Sequence, residues 1–167
     1  MIRFINRGDF LDTLYISMNR YIHQHTVLKS VMTFVCQYSP YITLCVYPCL
    51  LIYLIIQQSS LFWITVFKPF IALVIVTILR KIVNRPRPYE SLPIQPLLGH
   101  KTGESFPSRH TLSAFIIALV CFPVSTVLGY FCIVIAILIS VSRVIAGVHY
   151  ISDIFIAICI AFLIHII

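Results

Sequence analysis

The chain has 167 residues, of which 60% are hydrophobic and 10% charged, with a formal net charge of +7. Soluble domains carry about 25% charged residues, and a chain of this length has too little interior to hide so much apolar side chain. A water-soluble domain is therefore excluded and an integral membrane protein expected. The positive balance does not point to nucleic acid, because the basic residues form no continuous polar face. They gather near the N-terminus and around Arg80–Arg87, with single arginines at Arg109 and Arg143, a distribution suited to phosphorylated or anionic lipid headgroups.

In chain order, the N-terminal stretch MIRFINRGDFLDTLY lacks a long uncharged core, so no cleaved signal peptide is expected. Residues 9–22 place Phe10, Leu11, Leu14, Tyr15, Met18, Tyr21 and Ile22 at helical spacing with polar residues between them. This predicts an amphipathic helix lying on the membrane surface. Residues 26–38 predict a short apolar helix ending near Ser39-Pro40, and its length leaves interfacial, re-entrant and spanning placements open. Spans are predicted at Tyr41–Ile56, Leu61–Leu79, Ser108–Phe122, Val124–Val141 and Tyr150–Ile167. Lys68 is expected to snorkel to an interface. One long polar connection, residues 81–107, is rich in proline and charge. The six cysteines sit almost entirely in apolar runs without Cys-x-x-Cys spacing and read as small hydrophobes. The expected fold is all-α: a single membrane-embedded domain over residues 1–167, with about five to six transmembrane helices and an N-terminal amphipathic helix.

This topology brings three polar clusters to one membrane face. The Leu61 helix ends at Arg80, the Ser108 helix starts on the same side, and two further crossings return the chain there at Ser142–His149. The first cluster, Arg80-Lys81-Ile-Val-Asn-Arg85-Pro-Arg87-Pro88, offers guanidinium forks that match phosphate oxygens; by itself it also reads as a basic stop at the membrane edge. Pro88 is expected to turn the chain out of the helix. The second cluster is Ser105-Phe-Pro-Ser108-Arg109-His110-Thr111. Ser108 is a natural N-cap, and a helix N-terminus presents free N–H groups to an anion. The third, Ser142-Arg143-x5-His149-x3-Asp153, holds the only acidic residue after Glu104. Gly147 is expected to end one helix so that Arg143 and His149 face one cavity. A histidine one helical turn from a carboxylate suits a nucleophile, a base, a metal ligand or a proton relay, and a charge in lipid costs about 2.5–3.5 kcal/mol or more. His100 and His165 lack comparable partners, and His23 and His25 read as surface residues.

The order Arg-Pro, then Pro-Ser-x-His, then Ser-Arg-x5-His-x3-Asp resembles the three-part signature of the type-2 phosphatidic acid phosphatase superfamily. That superfamily includes bacterial undecaprenyl-diphosphate phosphatases and vanadium haloperoxidases. The resemblance covers residues 80–153 and departs in one place: the family's lysine seven positions before the motif arginine falls on Arg80, with Lys81 as the other candidate for its role. It implies that His149 is the nucleophile, Asp153 its orienting partner and His110 the general acid and base. Arg80, Arg87, Arg109 and Arg143, with Ser108 and the backbone N–H groups of Ser108–His110, are implied to hold the phosphate. No metal or cofactor is implied. The expected partners are a lipid phosphate or diphosphate and membrane lipids, without nucleic acid; the sequence does not specify an oligomeric state.

The implied activity is removal of a phosphate or diphosphate group from a membrane lipid, with undecaprenyl diphosphate favoured because the chain is small. Phosphatidic acid, phosphatidylglycerophosphate and lipid A phosphate are the alternatives, and a proton-coupled transporter or a non-catalytic scaffold the competing classes. A positive-inside count would put the basic face in the cytoplasm, whereas the resemblance implies an extracytoplasmic site in a bacterial cytoplasmic membrane. The arginines at this face have a catalytic reason to be there, so the resemblance is preferred.

Overall fold

A computed structural model describes residues 7–99 and 102–167. The first residues of the N-terminal stretch, and His100, lie outside the described residues. Seven helices form along them: α1 (Arg7–Gln24), α2 (Thr26–Ile56), α3 (Leu61–Val83), α4 (Pro88–Ser91), α5 (Arg109–Cys121), α6 (Thr126–Ile145) and α7 (Ile151–Ile166). The chain is an integral membrane protein. α2, the segment Leu61–Ser91 and α6 are long and apolar enough to cross a bilayer, while α5 and α7 are shorter apolar helices. Trp63, Phe67, Val127 and Phe155 are all more than half exposed; a surface this apolar is suited to lipid rather than water.

α5 sits at the centre and packs against α6, α7, α3 and α2. Its side chains from Ala114 to Cys121 are all buried. Leu112, Phe115, Ile116 and Leu119 pack with Ala72 and Val76 of α3, Ile135 and Ile139 of α6, and Ala157 and Ala161 of α7. The alanines on α3 and α7 let those backbones come close, as small residues do between membrane helices.

Two expectations are corrected. Residues 26–38 are not a separate helix: α2 runs unbroken through Pro40 and Pro48 for 31 residues, about 46 Å at 1.5 Å per residue. Proline inside a helix deprives the carbonyl four residues earlier of its donor, and neighbouring groups in a membrane protein can satisfy it. Both happen here. Pro40 frees the carbonyl of Cys36, which accepts from Arg143 Nη2 at 3.0 Å. Pro69, inside α3, frees the carbonyl of Thr65, which accepts from the Tyr47 hydroxyl at 3.1 Å. The second correction concerns Pro88. The Leu61 helix ends at Val83, where Asn84 takes a left-handed conformation (φ 38°), and Pro88 starts the short α4.

Candidate functional site

The site forms where the end of α3, the 84–108 connection, the start of α5 and the α6–α7 turn meet. Ser108 caps α5, its Oγ accepting from the Thr111 N–H. The Ser108 N–H donates to the Asp153 carbonyl at 3.2 Å, which ties α5 to α7. The resemblance implied a place for this N–H in the phosphate cradle; here its partner is that carbonyl. α6 stops at Ile145, and Gly147 takes φ +71°, a left-handed conformation in which glycine carries no Cβ penalty. The reversal sets His149 just before α7.

His149 is 2% exposed and Asp153 fully buried. His149 Nδ1 lies 3.5 Å from Asp153 Oδ2, a long approach that leaves Nδ1 without a well-formed hydrogen bond. The carboxylate is held by others. Oδ2 accepts from the Tyr150 N–H at 2.9 Å and from the Ser105 hydroxyl; Oδ1 accepts from Arg85 Nη1 at 2.8 Å. Burial pushes the His149 imidazole below the ordinary histidine range, against the opposing pull of Asp153, and the positive charges of Arg87 and Arg80 push the same way as burial. The ring is therefore biased towards its neutral form, the one with a free lone pair.

Arg80 and Arg87 are both buried. Arg80 Nη1 donates to the Pro107 carbonyl at 3.3 Å, and its Nε lies 3.7 Å from Glu104 Oε2. Lys81 is exposed, so Arg80 is the one of the two that faces the site. Arg87 Nε donates to the Gly103 carbonyl at 3.0 Å. Gly103 is itself fixed by its N–H donating to Glu90 Oε1 at 2.7 Å. Arg80, Arg87, Gly103 and Glu104 line a cavity of about 460 Å³, together with the exposed Arg109 and the half-buried His110.

Arg143 departs from the expectation of a shared cavity with His149. It is 3% exposed and held by Cys36, with its Nε buried and unpartnered. It lines a second cavity of about 410 Å³, between α2, α3 and α5, with Tyr41, Leu44, Leu73 and Ile117. Arg109 and His110 line both cavities, so the polar and the more apolar chamber meet at the start of α5.

Sequence reasoning missed Arg85, Ser105 and the Pro40-freed carbonyl as parts of the site. Arg85 and Ser105 stand inside the motif stretches, yet nothing local separates Arg85 from Arg80 and Arg87. A freed carbonyl is legible in principle from proline within an apolar run, but not the donor that fills it.

An all-helical membrane bundle that buries a histidine–carboxylate pair beside an arginine-lined cavity defines a membrane-embedded phosphate-handling protein. Residues 59–167 match the PAP2 superfamily model, and the chain belongs to that superfamily, the one whose three-part signature the sequence carries. It is 28% identical over 144 residues to the bacitracin transport permease protein BcrC of Bacillus licheniformis, covering 78% of this chain; it spans 65% of that protein's length. Among solved structures it is similar to LpxE of Aquifex aeolicus, with a TM-score of 0.72 and 27% identity over 92% of this chain and 91% of that one. A transmembrane PAP2-type phosphatidylglycerolphosphate phosphatase from Bacillus subtilis gives a TM-score of 0.47 at 19% identity, over 93% of this chain and 92% of that one.

Proposed function

We propose that the whole chain is one membrane-embedded lipid phosphatase domain that hydrolyses a phosphate or diphosphate group from a membrane lipid through a phosphohistidine. The observation that carries this reading is the buried His149–Asp153 pair beside a cavity walled by Arg80, Arg87, Arg109 and His110. With Nδ1 turned to Asp153, His149 Nε2 attacks phosphorus, and the bond from phosphorus to the leaving oxygen breaks. His110 gives that oxygen its proton. His110 then takes a proton from water, which attacks the phosphohistidine and releases inorganic phosphate and neutral His149. Asp153 stabilises the cationic imidazole formed on the way. Arg80, Arg87 and Arg109 hold the phosphoryl oxygens as charge redistributes, and Arg143 acts from the neighbouring chamber, whose apolar wall suits the first carbons of a lipid chain.

The favoured substrate is undecaprenyl diphosphate, cleaved to undecaprenyl phosphate. Phosphatidic acid, phosphatidylglycerophosphate and lipid A phosphate would use the same residues and are the alternatives. The proposed setting is a bacterial cytoplasmic membrane with the site at its extracytoplasmic face; labelling of a single cysteine placed near Gly99 from one side of sealed vesicles tests it.

Phosphate release by the purified protein from a panel of these lipids tests the reaction. Release from undecaprenyl diphosphate, retained with EDTA and lost in His149→Ala, is expected, along with an acid-labile phosphoprotein trapped on rapid quenching. Metal dependence, or full activity of the variant, would defeat the mechanism. Absence of release from any lipid would turn attention to transport.

A further inference from the structure

Asp153 is the residue that aligns His149, yet the side chains that donate to its carboxylate, Arg85 and Ser105, are not residues that the three-motif pattern specifies. Arg85 Nη1 bridges Asp153 Oδ1 and the Ser152 hydroxyl, both at 2.8 Å. The guanidinium carbon sits 4.0 Å from the centre of the Tyr150 ring, a cation–π distance. Tyr150 meets Tyr15 of α1 edge-on at 5.8 Å, and the Tyr15 hydroxyl accepts from the Ile151 N–H at 2.7 Å. Arg85 is therefore clamped from three directions while its side chain stays 35% exposed, at the rim of the site.

We infer that Arg85 is a positioning residue: it sets the rotation of the Asp153 carboxylate so that Oδ2, shared with Ser105 and the Tyr150 N–H, faces His149 Nδ1. This rests on the reading of His149 as the nucleophile. A carboxylate bound on one oxygen only is free to turn about its last bond. Arg85 occupies Oδ1 and removes that freedom, and its charge limits how strongly Asp153 draws a proton onto His149. Arg80 and Arg87 also face His149 with positive charge, but neither is among the hydrogen-bond donors to the carboxylate.

Arg85→Gln and Arg85→Lys in the full-length protein test this, with initial rates of phosphate release from undecaprenyl diphosphate measured across pH. In Arg85→Gln, kcat falls about 10–100-fold, by analogy with the loss of groups that orient metal-bound histidines, while KM stays unchanged. The acidic limb of kcat/KM moves to higher pH, because the lost charge lets Asp153 hold the imidazole proton more firmly. Arg85→Lys keeps the limb in place and lowers kcat less. In an Asp153→Asn background, Arg85→Gln lowers kcat no further, since its effect runs through that carboxylate. A rise in KM at constant kcat would make Arg85 a substrate ligand and overturn the inference, as would wild-type kinetics in both variants. Should Arg85→Gln fail to fold, the kcat and KM of Arg85→Lys decide. Full activity in His149→Ala would instead overturn the nucleophile assignment itself, a separate outcome.

Discussion

Replacing Pro40 by alanine should make the protein more stable and less active. Pro40 lies inside α2 and has no N–H for the Cys36 carbonyl, and Arg143 Nη2 takes that acceptor at 3.0 Å. Alanine restores the helical donor. Proline is about 3 kcal/mol less favourable than alanine within a helix, so thermal unfolding in detergent should shift upwards. The cost falls on Arg143, whose anchor now has a competitor. A hydrogen bond to a charged group contributes about 1.5–3 kcal/mol, and 1.4 kcal/mol is a factor of ten. Full displacement would therefore lower kcat/KM by roughly ten- to a hundredfold. Parallel unfolding scans and phosphate-release assays on Pro40→Ala and the parent measure both quantities. A stabilised variant with unaltered kcat/KM would show that the freed carbonyl does not aim Arg143.

Four further outcomes follow from the geometry. Because burial holds the His149 imidazole below its ordinary range, the neutral nucleophile persists under mildly acidic conditions. The acidic limb of kcat/KM should fall below pH about 6.5, and a limb at or above it would contradict the neutral-histidine mechanism. The same group contributes stability that is present above the unfolded pKa and lost as pH falls, since the unfolded chain then binds the extra proton; a drop in unfolding midpoint at acidic pH, reduced in His149→Ala, checks this. Gly147→Ala places a left-handed residue at φ +71° and a Cβ 3.0 Å from Ile94 Cδ1. It should cost about 1–2 kcal/mol in backbone strain and displace His149, lowering kcat as well as the unfolding midpoint. Gly103→Ala sets a Cβ 2.7 Å from Asn84 Oδ1 in the loop whose carbonyl holds Arg87, so KM for the lipid phosphate should rise.

Much of this protein is legible in one dimension because the deciding forces are local or set by the bilayer. The length of the apolar runs identified membrane helices, and α5, α6 and α7 begin and end within a few residues of the positions predicted from Ser108, Pro123 and Gly147. The 26–38 segment does not end at Pro40, because a neighbouring arginine rather than a helix end supplies the donor that the proline lacks. His110, His149 and Asp153 could be picked out because ionisable groups are scarce in this chain and their spacing matches a family signature. What needed the tertiary structure is direction. Arg80 and Lys81 are adjacent and chemically alike, but successive helical residues point about 100° apart, and only the packing of α3 against α5 turns Arg80 inwards and Lys81 out. The bond from Arg143 to Cys36 spans 107 residues and that from Arg85 to Asp153 spans 68. Such pairings depend on how whole helices rotate and slide against one another, a choice made by the summed packing of the bundle that no short stretch of sequence encodes.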